Sequence, residues 1–152
     1  MNRNKEIVLI PHCFLNQNCV VKNEARNQDI FMKILFKIQD TSFIQMECPE
    51  YNVFGLNREG VGKNELDSDL KYVDWCEVYC DKLINEIKNY LENGCKIKNI
   101  IGIKGSPSCG IEVTCYKNQG GFYTDKGIGK FNEILMKRLK KENLEIEFIE
   151  LD

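Results

Sequence analysis

The chain has 152 residues, of which 43% are hydrophobic and 29% charged, and a formal net charge of −2. This length suits one domain that buries about two-thirds of its unfolded surface, and the near-neutral charge gives no electrostatic case for nucleic acid or anionic membrane as partner. No apolar stretch approaches the ~20 residues of a membrane span, and the polar start over residues 1–6 leads into an apolar run too short for a secretory signal. The expected location is therefore the cytoplasm, where eight cysteines read as metal-binding, catalytic or buried rather than as a disulfide framework.

In chain order, the β-branched run over 6–10 predicts a first strand. Ile30, Phe31, Ile34, Leu35 and Ile38 recur at helical spacing and predict a helix over 24–39. Residues 43–46 read as a second strand. The stretch 51–67 holds Gly55, Gly60 and Gly62 without sustained periodicity and is expected to be a long functional loop. Ser68 is placed to cap the next helix. Its apolar stripe is Leu70, Val73, Cys76, Cys80, Leu83, Ile84, Ile87 and Leu91, with Gly94 as its stop. Residues 97–103, apolar on both faces, predict a central strand. Runs over 111–116 and 121–124 flank Asn118–Gly120 as a small hairpin. Ile128, Phe131, Ile134, Leu135 and Leu139 mark a last helix, whose basic Lys137, Arg138, Lys140 and Lys141 form a solvated face, and 146–151 a final strand. The sum is α/β: a single domain over 1–152, a three-layer α/β/α sandwich on a mostly parallel, Rossmann-like or flavodoxin-like sheet of order 2-1-3-4, with a small β-hairpin.

Cys13, Cys48 and Cys109 each follow an apolar β-like run. In a parallel sheet those strand ends share one edge, where ligands of open α/β sheets bind. Any one of these thiols alone reads as a small buried residue, but three at one edge favour a metal centre with an open position. Cys76 and Cys80 lie on a helical stripe and read as core, Cys95 as structural, and Cys115 as a minor ligand candidate. Cys19 occupies the position, six residues after Cys13, where phosphatases of this geometry need an arginine, so phosphate chemistry at Cys13 is not expected. Structural zinc commonly uses paired spacings such as C-x-x-C, absent here, and the lone His12 adjoins Cys13 and points to the opposite face. An iron–sulfur cluster accepts dispersed cysteines, and three ligands on four irons leave one iron open.

These pieces resemble a known family. Residues 7–11 running into His12-Cys13-Phe14-Leu15-Asn16, Cys48-Pro49-Glu50, Gly55-Leu56-Asn57-Arg58 and 104–110 with Ser106-Pro107-Ser108-Cys109-Gly110 are similar to the TudS-like family, which includes 2-thiouracil desulfidase. The resemblance runs over nearly the whole chain and marks a divergent, single-domain branch. It implies a [4Fe-4S] cluster on Cys13, Cys48 and Cys109, and redox-neutral replacement of a thiocarbonyl sulfur by oxygen at the open iron.

That chemistry asks for a carboxylate to activate water. Glu50 is the first candidate and Glu47 the second; Ser108, or Ser106, is placed to bind substrate or sulfide. Asn16, Arg58, Lys104 and Ser106 are the expected contacts of a small thiolated substrate. Two other readings stand beside it: a non-catalytic iron–sulfur or thiol sensor, and a metal-free enzyme with Cys109 as nucleophile, for which His12 is the only histidine base. A monomer or small homo-oligomer is expected.

Overall fold

The computed structural model describes residue 3 and residues 6–151. Residues 1, 2, 4, 5 and 152, which belong to the expected polar start and to the ends of the expected 1–152 domain, lie outside the described residues. The sheet is built from the most apolar runs of the sequence. Strand β1 (Glu6–Pro11) buries Ile7, Val8, Leu9 and Ile10, whose side chains alternate between two separate cores. It lies between β2 (Thr41–Met46) and β3 (Lys96–Ile103), both parallel to it. Strands β4 (Val113–Asn118) and β5 (Gly121–Lys126) form a separate antiparallel hairpin. The last strand, β6 (Glu147–Leu151), pairs with β3, which completes the order β2-β1-β3-β6. This is the order expected from the sequence.

Helix α1 (Gln28–Lys37) covers one face of the sheet, where Phe31 and Leu35 pack with Val8, Ile10, Phe14 and Ile101. Four helices lie against the other face: α2 (Pro49–Phe54), α3 (Lys63–Ser68), α4 (Leu70–Glu92) and α5 (Lys130–Lys141). Tyr72, Cys76, Cys80, Leu83, Ile84 and Ile87 of α4 meet Ile7, Leu9 and Ile100 there, with Phe131, Leu135 and Leu139 from α5. Burying such side chains contributes about 1.5–3 kcal/mol each. Cys76 and Cys80 are core residues, and burial pushes each thiol up to about 12.

The structure corrects four expectations. The stretch 51–67 is not one loop: α2 and α3 interrupt it, each only six residues long and so too short to display a helical period. Helix α1 begins at Gln28 rather than near residue 24, because the Asn27 side chain accepts the Asp29 N–H and starts it there. The cap of α4 is Asp69, whose carboxylate accepts the Tyr72 N–H at 2.9 Å; Ser68 ends the preceding helix. Leu70, assigned to the apolar stripe, is 75% exposed on the first turn. Among the described residues, no helix is long and apolar enough to cross a membrane.

Candidate functional site

Pro11, Met46 and Ile103 end three adjacent parallel strands, and all three line one cavity of about 610 Å³ at the C-terminal edge of the sheet. The segments that leave those strands carry the cysteines. Cys13 lies in a 3-10 turn directly after β1. Cys48 is the N-cap of α2, with Pro49 in the first turn, where its missing N–H costs nothing. Cys109 closes a tight loop after β3, in which the Ser106 hydroxyl accepts the N–H groups of Cys109 (2.9 Å) and Ser108 (3.3 Å). Gly129 abuts this loop so closely that a Cβ there would sit 2.4 Å from the Ser108 carbonyl carbon, so only glycine fits.

Cys13, Cys48 and Cys109 all face the cavity, joined by Cys19 and Cys115. The sequence offers Cys19 only as a missing arginine, yet it is buried and lines the same cavity. The neighbouring Cys19 thiol holds Cys48 below the ordinary thiol value against the opposing effect of burial. Burial pushes Cys13 up to about 12 and Cys109 well above its usual range, and the neighbouring Cys48 sulfur adds to both. Among the described residues, no three His, Cys, Asp or Glu side chains form a group that could hold a single metal ion.

Beside the thiols runs a buried polar chain. The Tyr72 hydroxyl donates to Ser108 Oγ at 2.7 Å, and the Ser108 hydroxyl donates to Glu50 Oε1 at 2.7 Å. Exposures are 0% for Tyr72, 2% for Ser108 and 7% for Glu50. The other carboxylate oxygen, Glu50 Oε2, lies 3.6 Å from Arg58 Nε. Arg58 is itself buried: Nη1 donates to Gly55 O at 2.9 Å and Nη2 to Cys19 O at 2.7 Å, while Nε makes no hydrogen bond. A guanidinium offers five donors in a fixed plane, so one side chain clips three segments together.

Of the other candidates, Lys104 and Ser106 line the cavity, as do His12, Glu47 and Phe122. Asn16 does not line it. Its side-chain oxygen accepts the Asn18 N–H at 3.1 Å and caps the turn Gln17–Cys19. Tyr72 lies beside the apolar stripe of its helix and the stripe's spacing does not single it out, although a buried tyrosine hydroxyl requires a partner.

The cavity, lined by thiols with a buried carboxylate beside them, opens at the C-terminal edge of the sheet, which is where doubly wound α/β folds bind small ligands. The fold is shared with a solved structure of the [4Fe-4S]-dependent thiouracil desulfidase TudS. That match has a TM-score of 0.51 and 20% identity, and covers 96% of this chain and 91% of that one. It is the fold to which the motifs pointed. The chain also matches the uncharacterized protein MJ0003 of Methanocaldococcus jannaschii, with 32% identity over 138 residues, covering 88% of this chain and 84% of that protein. The chain belongs to the family of that archaeal protein. No protein-family model matches it.

Proposed function

We propose that this protein is an iron–sulfur-dependent desulfidase: it removes sulfur from a small thiouracil-like substrate by redox-neutral hydrolysis at a [4Fe-4S] cluster held by Cys13, Cys48 and Cys109. The observation that carries the reading is the meeting of these three thiols with the buried Glu50–Ser108 pair at one cavity. The donor set fits the group. All three ligands are soft thiols lining one cavity, and no fourth thiol is needed for a cluster with an open iron. The fold shared with TudS points the same way.

When bound, the cluster supplies a soft Lewis acid that prefers sulfur to oxygen. The protein's own residues do the rest. Glu50 accepts a proton from the water that replaces the sulfur, and Arg58 beside Oε2 keeps that carboxylate in place. Ser108, held by Tyr72, hands its hydrogen bond to Glu50 and positions the base. Arg58 Nε, buried with no hydrogen-bond partner, is a donor for the polar edge of the substrate, along with Lys104 and Ser106 at the cavity wall. Asn16 acts indirectly, by capping the Gln17–Cys19 turn. The balance is thiocarbonyl plus water giving carbonyl plus hydrogen sulfide.

The test is anaerobic purification with iron and sulfide analysis, followed by incubation with 2-thiouracil. About four irons per chain and release of sulfide with uracil are expected. A cluster that forms but releases no sulfide from any thiolated pyrimidine would leave the sensor reading in its place.

A further inference from the structure

The proposed chemistry draws on the strand ends and on α2, and gives the β4–β5 hairpin no role. Opposed residues of an antiparallel pair share a face, and successive ones alternate between faces. The pairs Cys115–Thr124 and Lys117–Phe122 therefore project on one side of the hairpin, and Tyr116–Tyr123 on the other. Cys115, Phe122 and Thr124 all line the cavity, so the first of these faces forms one of its walls.

That wall is fixed at both ends. At the base, Thr114 Oγ1 donates to Ser106 O at 2.9 Å, within the loop that carries Cys109. Toward the tip, Asn64 Nδ2 donates to Lys117 O, and Asn64 Oδ1 accepts the Lys117 N–H, both at 2.9 Å. Phe122 is held in turn. Lys117 Nζ stands 5.3 Å from its ring centroid, and a Cβ on Gly60 would lie 3.2 Å from its Cζ. The ring is nevertheless 54% exposed, against 2% for Ser108 and 7% for Glu50 on the same cavity. Phe122 thus stands at the mouth, with the buried polar pair at the floor.

We propose that Phe122 is the stacking platform for the substrate, a specificity-determining residue that selects flat heteroaromatic rings over saturated ones. The proposal rests on the desulfidase reading for its substrate class and deepens it. A planar pyrimidine offers a π face that an aromatic side chain meets in an offset stack. A puckered, saturated ring with the same polar groups loses that contact. A platform at the mouth grips the ring equally before and during reaction, so it sets binding rather than the chemical step.

The experiment compares anaerobically purified wild type, Phe122→Ala, Phe122→Leu and Phe122→Tyr. The readouts are kcat and KM for 2-thiouracil, and calorimetric affinities for uracil and for its saturated counterpart dihydrouracil. Phe122→Ala is expected to raise KM by about 5–100-fold, the range for losing one base–aromatic stack, with kcat near wild type. Its uracil affinity should fall by a similar factor and its dihydrouracil affinity much less. Phe122→Tyr should behave as wild type, whereas Phe122→Leu, which keeps apolar bulk without a π face, should not. An unchanged KM and uracil affinity in Phe122→Ala overturns the platform and leaves the desulfidase reading intact. Equal losses for uracil and dihydrouracil, or full rescue by leucine, overturn it in favour of a merely apolar wall. Wild type that binds uracil in a Phe122-dependent way but releases no sulfide supports the platform and overturns the desulfidase reading. Wild type that binds neither 2-thiouracil nor uracil overturns both. Should Phe122→Ala fail to fold by circular dichroism, Phe122→Leu carries the same expectation.

Discussion

Replacing Tyr72 by phenylalanine deletes one oxygen from a run of three buried polar groups and leaves the ring, its packing on Phe54 and the helix untouched. The lost bond is the 2.7 Å donation to Ser108 Oγ, at a site where Tyr72 is 0% and Ser108 2% exposed. No solvent reaches the serine oxygen to replace the missing donor. The relevant magnitude is therefore the cost of leaving a buried acceptor unsatisfied, about 1–3 kcal/mol, rather than the smaller net worth of an average hydrogen bond. At roughly 2–4 °C per kcal/mol for a chain of this size, the melting temperature should fall by about 2–12 °C. Burial drives the Tyr72 hydroxyl well above its ordinary pKa, so it remains a donor throughout the accessible range and the loss should not vary between neutral and mildly alkaline pH.

The assay is thermal unfolding of the metal-free chain under reducing conditions, for wild type, Tyr72→Phe, Ser108→Ala and the double variant. Because Tyr72 and Ser108 share one bond, the two losses should not add, and a coupling of about 0.5–3 kcal/mol is expected. Wild-type melting of Tyr72→Phe together with additive losses would refute the claim that these groups form a connected buried chain. Under the proposed chemistry the same substitution loosens Ser108 against Glu50. Sulfide release should then drop while iron content stays at the wild-type value.

Three further outcomes follow from other parts of the fold. Glu50→Gln should load a normal complement of iron yet lose about 10²–10⁴-fold in sulfide release, the range typical of a missing general base; turnover near wild type would remove Glu50 from the mechanism. Glu150→Ala should cost about 1–3 kcal/mol in urea unfolding, because Glu150 Oε1 accepts the N–H groups of Ile111 (2.7 Å), Glu112 (2.9 Å) and Val113 (3.2 Å) and so pins the segment after Cys109 to β6. At Asp67, burial opposes ionisation, but hydrogen bonds from Lys63 and Lys130 outweigh it and hold the carboxyl below its ordinary value of 3.8. A depressed folded-state pKa gives stability that is fully present above 3.8 and is lost as pH falls through the lower, folded value. Asp67→Asn should accordingly be less stable than wild type at pH 6, with the gap closing in acid.

The layout of the sheet was legible because parallel strands buried on both faces leave long apolar runs, and 97–103 is such a run. Once the order β2-β1-β3 holds, residues just past β1, β2 and β3 must share an edge, so the meeting of Cys13, Cys48 and Cys109 follows from topology rather than from spacing. Features that depend on rotation about an axis were not legible. Whether Tyr72 aims at Ser108 is set by the turn at which α4 begins, and that in turn by Asp69 rather than Ser68 acting as cap. Helices α2 and α3 escaped because six residues complete fewer than two turns. Cys19 escaped for a different reason: it was judged by the arginine it replaces, when the guanidinium serving this turn arrives from Arg58, 39 residues further along the chain. A charge missing locally in sequence can be supplied from a distant loop. Here that substitution leaves position 19 free to carry a thiol at the cavity, while Arg58 fixes the Cys19 carbonyl and faces Glu50.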